Sequence, residues 1–231
     1  MRTVGIIGGI GPESTIEYYR RLIAGYRERT GDGSYPSIII NSVNMKKLLD
    51  LVAANQLQEL AGCLLAELNK LARAGADFAL LAANTPHVVF SEIERQSPVP
   101  LISIVQAAAD AAKALGLKKL GLFGTRFTMQ GSFYPEVFSR SAIALAAPDG
   151  VEQAYIHEKY FGELVNGHVL PGTRKQLLKI VDALKEREHI DGLILGGTEL
   201  SLVFRENTAR GIPVLDTTQI HVQAALARML A

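Results

Sequence analysis

Two short stretches hold residue types that can bind a small acid and move a proton. LLAANTPH (80–87) is an apolar run that ends at Ala83 and continues as Asn84, Thr85, Pro86 and His87. LILGGTEL (193–200) is a second apolar run that breaks at Gly197 into Thr198 and Glu199. Small residues at such breaks let a ligand approach the main chain. Backbone N–H groups at the helix starts that follow favour an anion. The Asn84 amide and the hydroxyls of Thr85 and Thr198 add hydrogen bonds without adding net charge. His87, Thr198 and Glu199 are the side chains here that can serve acid/base chemistry.

Other residues join these two endings. GTRFT (124–128) contributes Thr125 and Thr128, and the glycine-rich GGIGPEST (8–15) contributes Ile10 as a ligand contact. AYIHEKYFGEL (154–164) carries His157 and Lys159 on a helix, where Lys159 is a candidate partner for a substrate carboxylate. Lys46 and Lys47 follow the second strand and are candidates for a second carboxylate. Each residue also has a plainer role. Asn84, Thr85, Thr125, Thr128 and Thr198 are favoured helix caps, and Glu199 suits the positive end of a helix dipole. Four polar strand endings, paired by the repeat described below, favour a binding site over capping alone. The ligand class this implies is a small amino or organic acid. Gly8, Gly9 and Gly11 do not fit G-x-G-x-x-G, and the Lys-Ser/Thr of a P-loop is missing, so no nucleotide cofactor is expected. No His/Asp/Glu spacing suggests a metal site.

The elements that must position these residues alternate along the chain. Strand-like apolar runs fall at 3–8, 37–41, 78–83, 100–104, 119–124, 143–147, 191–196 and 213–217. Helical patterns fall near 13–28, 46–74, 104–115, 130–140, 151–166, 172–188 and 218–230. The strands are continuously apolar rather than alternating, as in a parallel sheet covered on both faces. The chain also repeats itself: Val4, Phe78 and Val99 open segments that match those opening at Leu120, Gly192 and Ile212. The expected fold is therefore α/β, with two pseudo-symmetric, doubly wound, flavodoxin-like parallel-sheet halves and the active cleft between them. The expected boundaries are 1–98 with 210–231 for the first half and 99–209 for the second.

Bulk properties exclude several classes. The 231 residues are 48% hydrophobic and 20% charged, with a formal net charge of +1. That balance offers no field for nucleic acid or an anionic membrane, and no apolar run has the ~18 residues of a spanning helix. Without a signal-peptide pattern at the start, the expected location is cytoplasmic. Cys63 is the single cysteine; helical leucine spacing around it marks it as a small packing group.

Five segments together, GIIGGIGPEST, AANTPHVVF, GLFGTRFTM, YIHEKYFGELVNG and GLILGGTELSLV, resemble the aspartate/glutamate racemase family, whose members work without pyridoxal phosphate. The resemblance spans essentially the whole chain. It implies two similar α/β halves, a homodimer, no cofactor and a small amino-acid substrate, often acidic. Family members usually carry one cysteine before Asn-Thr and another before Thr-Glu, each serving one face of the α-carbon. Here those positions are Ala83 and Gly197, so the two-thiol mechanism is absent. Three readings follow: a racemase using His87, Thr198 or Glu199 with a bound water; a lyase- or hydrolase-like relative needing a single acid/base; and a non-catalytic binder of an amino or organic acid.

Overall fold

The computed structural model describes residues 1–231. The chain divides into two compact units, Met1–Ile104 with Thr218–Ala231, and Val105–Thr217. In the first unit, β1 (Val4–Gly8), β2 (Ile38–Ser42), β3 (Phe78–Leu81) and β4 (Leu101–Ile102) form a sheet of order β2-β1-β3-β4, parallel throughout. In the second, β5 (Lys119–Gly124), β6 (Ala144–Ala146), β7 (Gly192–Gly196) and β9 (Ile212–Asp216) repeat that order as β6-β5-β7-β9. β8 (Thr208–Ala209) adds a short antiparallel edge beside β9. The internal repeat of the sequence is thus a repeat of sheet topology.

Burial explains the apolar runs. β1, β3 and β7 are buried at every residue, whereas the edge strand β2 is partly exposed. In the first unit, Val4 and Ile6 face one helix layer while Ile7 faces the other, following the two-residue period of a strand. The first layer is α1 (Pro12–Thr30) with α10 (Thr217–Leu230), whose Tyr18, Leu22, Tyr26, Val222, Leu226 and Met229 form a common core. The second includes α2 (Met45–Ala53) and α3 (Leu57–Arg73), where Leu60, Leu64, Leu68 and Leu71 recur at helical spacing. Cys63 packs against this second core as a partly buried side chain. In the second unit, Leu193 and Leu195 of β7 pack under α8 (Gly150–Gly162) and α9 (Pro171–Glu188). No helix is long and apolar enough to cross a membrane.

The unit boundaries differ from the expected 98 and 210. The strand-like runs at 100–104 and 213–217 do form strands, and each supplies the outer parallel strand of its own unit's sheet. Pairing of β4 with β3 carries the first unit to Ile104, and pairing of β9 with β7 carries the second to Thr217. The helical pattern over 46–74 is two helices, parted by a turn in which Asn55 has φ of 54°.

Candidate active site

The polar residues of the first unit gather at the carboxyl ends of β1 and β3, where parallel α/β sheets bind ligands. After β1 the chain turns at Gly9, with φ of 82°, and enters α1 at Pro12. Gly9 N–H donates to the Thr15 hydroxyl at 2.8 Å, closing the turn. A Cβ at Gly8 would meet the Thr15 side chain at 2.5–3.2 Å, so only glycine lets α1 approach this strand end. Ser14 Oγ donates to the Ala82 carbonyl at 2.9 Å and thereby fastens α1 to the end of β3. Ile10 packs in the core with Leu48 and Leu51 and is 6% exposed.

Beyond β3, residues Thr85–Val89 form a 3-10 turn that leads into α4 (Phe90–Gln96). Asn84 precedes this turn without a side-chain capping bond, so capping does not account for it. Asn84 and Thr85 are both buried at the strand end. His87 is committed to the fold: its ring bonds the Ala83 carbonyl through Nδ1 at 3.0 Å and accepts the Ile104 N–H on Nε2 at 3.2 Å. Those two partners define the tautomer with the proton on Nδ1. The ring also stacks on Phe90, with centroids 4.9 Å apart. Burial first, then the nearby His221, pull its pKa down to about 3. His87 is therefore a neutral brace that fixes Ala83 and the end of β3.

In the second unit, Thr125 caps α6 (Arg126–Gln130), accepting the Thr128 N–H at 3.3 Å and sharing a 3.2 Å hydroxyl contact with Thr128. Thr128 is fully buried, and a Cβ at Gly124 or Gly196 would approach it at 2.9–3.0 Å. These glycines seat α6 against β5 and β7 as Gly8 seats α1 in the first unit. His157 accepts the Arg126 N–H on Nδ1 at 3.1 Å, and burial, then Arg126, lower its pKa. Lys159 pairs along its own helix with Glu163 at 3.0 Å and with Glu158 at 3.3 Å. Lys46 is a solvent-side partner of Asp50 at 2.7 Å, and the Lys47 N–H is taken by the Asn44 cap.

The end of β7 is the chemically distinctive place. Gly197 leads into a 3-10 turn, Thr198–Leu202, in which Thr198 and Glu199 are buried. Glu199 Oε2 accepts the Thr198 hydroxyl at 2.7 Å and also the Tyr160 hydroxyl from α8. The Tyr160 ring occupies the space beside Gly197, where a Cβ would stand 2.5 Å from Cε2 and 3.3 Å from the hydroxyl oxygen. Burial, then the Glu199 carboxylate, hold the Tyr160 proton on well above the usual phenol range. Sequence reading picked out Thr198 and Glu199 but not Tyr160. A signal existed: Ile156 and Tyr160, four residues apart, are the buried face of α8, while Lys159 lies on its more open side.

A family model for Asp/Glu/hydantoin racemases matches residues 7–225. The chain belongs to this family. Among curated relatives, it is 25% identical over 237 residues to the broad specificity amino-acid racemase RacX of Bacillus subtilis (strain 168), covering 99% of this chain and 98% of that protein. Among solved structures, an Asp/Glu racemase candidate from Yersinia pestis is 32% identical, with a TM-score of 0.90 and complete coverage of both chains (100% each). An aspartate racemase homologue from Pyrococcus horikoshii OT3 is also 32% identical, with a TM-score of 0.85 and 100% coverage of each chain. Membership places the chain among isomerases that act on amino acids. Ala83 follows β3 by two residues and Gly197 follows β7 directly, and neither carries an ionisable side chain.

Proposed function

We propose that this family member racemises a small, acidic amino acid without a cofactor, using Glu199 rather than a thiol as a proton-transfer group. One observation carries the reading: a buried carboxylate stands at the end of β7 and takes two hydroxyl donors, Thr198 and Tyr160. Inverting an α-carbon requires removal of a proton on one face and its return on the other, and a positioned carboxylate is competent for the first step. Asn84, Thr85, Thr125 and Thr128 are assigned to the substrate's carboxylates, with backbone N–H groups of the strand-end turns, as donors that stabilise enolate-like charge. Ile10, Gly197 and Lys159 complete the proposed contacts. A bound water is assigned to return a proton on the opposite face, and the hydroxide it leaves takes up, by way of solvent, the proton that Glu199 releases. His87 is left out of the acid/base set because both ring nitrogens are engaged. A homodimer is part of the same proposal.

A second reading, a lyase- or hydrolase-like reaction with a single acid/base, draws support from that asymmetry: a carboxylate in one unit and no comparable group at Ala83. Incubating L- and D-aspartate and L- and D-glutamate separately with the protein in D₂O separates the two. Racemisation yields Cα deuterium, seen by ¹H NMR, together with loss of optical purity on a chiral column. Product formation without epimerisation favours the second reading. Saturable binding with neither change would make the protein a non-catalytic binder and end the racemase proposal.

A further inference from the structure

Tyr160 and Gly197 form a complementary pair. The ring edge stands where a side chain at 197 would begin, with Cε2 at 2.5 Å, Cζ at 3.2 Å and the hydroxyl oxygen at 3.3 Å from the Cβ site. A contact under about 3.0 Å to a ring in a packed interior is not relieved by a small rotamer change. Tyr160 is 7% exposed, packs edge-on against Phe161 and belongs to the same core as Leu195 and Leu200. Its hydroxyl points to Glu199 Oε2, the oxygen that Thr198 also bonds. Two hydroxyl donors on one oxygen define where that oxygen sits, and donors to a carboxylate are stronger than neutral ones.

From this geometry we infer that Tyr160 is a positioning residue for Glu199, and that Gly197 is glycine because the Tyr160 ring fills the place of its side chain. The inference rests on the proposed role of Glu199 for its catalytic meaning, but its physical content stands apart from activity. Tyr160 acts through Glu199: its ring closes the space beside Gly197 and its hydroxyl fixes one carboxylate oxygen. Fixing Oε2 also fixes the plane of the Glu199 carboxylate and so the direction in which its other oxygen faces. A helix residue thus supplies, from 37 positions earlier in the chain (197 − 160), the side-chain volume that the strand end lacks.

Two activity-independent measurements test this. The first is a double-mutant cycle in thermal stability on the full chain. Gly197→Ala should lower the melting temperature clearly in the wild-type background and much less in Tyr160→Leu, which removes the ring edge. Equal losses in both backgrounds would overturn the steric half. The second is isotope-edited infrared spectroscopy with ¹³C-labelled glutamate, where the difference from Glu199→Gln isolates the Glu199 band. Tyr160→Phe, which keeps the ring, should shift that band in a protein that still melts cooperatively. An unshifted band would overturn the positioning half. Where turnover is found, Tyr160→Phe should lower kcat roughly 10-fold or more with KM little changed, because a misplaced proton acceptor is felt in the chemical step. Absence of turnover in the wild-type protein would count against the proposed function, whereas an unshifted Glu199 band counts against this inference alone.

Discussion

Replacing Glu199 with Gln lowers the racemisation rate by roughly 10²–10⁴-fold, the usual range for loss of a general acid/base. The substitution keeps side-chain volume, and the remaining carbonyl oxygen can still accept the Thr198 or Tyr160 hydroxyl that Glu199 now binds. What disappears is the second oxygen as a proton acceptor. The loss should fall on kcat more than on KM, since substrate anchoring is assigned to the neutral donors at the other strand ends. Thr198→Val, which removes one hydroxyl from the same carboxylate, should cost less, on the order of 10-fold. Steady-state kinetics on each aspartate enantiomer, with circular dichroism to verify folding, provide the comparison. A Gln variant within a few-fold of wild type would remove Glu199 from the chemistry.

The second large effect is on stability in acid. His221, like His87, is fully buried in the first unit; its Nδ1 accepts the Tyr18 hydroxyl at 2.8 Å and its Nε2 donates to the Ile102 carbonyl at 2.9 Å. Burial pulls its pKa down to about 4, and burial with the neighbouring His221 pulls that of His87 down to about 3, from 6.5 for each. The two rings lie 6.4 Å apart, so protonating one further opposes protonating the other. Both folded-state values lie below the unfolded value. Between about pH 4 and 6.5 the unfolded chain therefore binds more protons, and stability rises with pH. The contribution is complete above pH 6.5 and is lost as the pH falls toward 4.

Two such groups give a limiting slope of about 3 kcal/mol per pH unit in that window. Between pH 7 and 5 the loss is on the order of 4 kcal/mol, comparable with the lower end of a typical stability of about 5–15 kcal/mol. Urea denaturation at pH 7, 6 and 5 should show the midpoint falling steeply. His221→Gln, neutral throughout, should lower stability at pH 7 and flatten the slope by about half. The same slope in wild type and variant would show that His221 is not the titrating group.

The contrast between fold and site shows what a sequence can reveal. Strands β1, β3, β5 and β7 were legible because burial on both faces leaves an uninterrupted apolar run. The repeat was legible for the same reason, since both sheets impose the same order on their strands. Boundaries were harder: Leu101–Ile102 pairs through only two residues, and no pattern tells whether so short a strand closes one sheet or opens the next. Capping proved right for Thr125, whereas Asn84 makes no side-chain capping bond and Thr198 lies inside its turn with its hydroxyl on Glu199. That difference depends on turn geometry beyond the reach of residue type. His87 looked reactive by type, yet its two ring partners, Ala83 and Ile104, are set by tertiary contacts. Tyr160 was missed because its significance arises from Gly197, a residue distant in sequence whose lack of a side chain the ring exploits.

The central claim is that an oxygen base, not a thiol, moves the α-proton, and Cys63 offers the direct test because it is the sole cysteine. The measurement is Cα–H exchange of aspartate in D₂O, followed by ¹H NMR, with the Cys63→Ala protein beside wild type. Cys63 sits on α3 against the first-unit core, so the thiol-free protein should exchange both enantiomers at the wild-type rate. Loss of exchange on removing that thiol, or no exchange in either protein, would contradict the account.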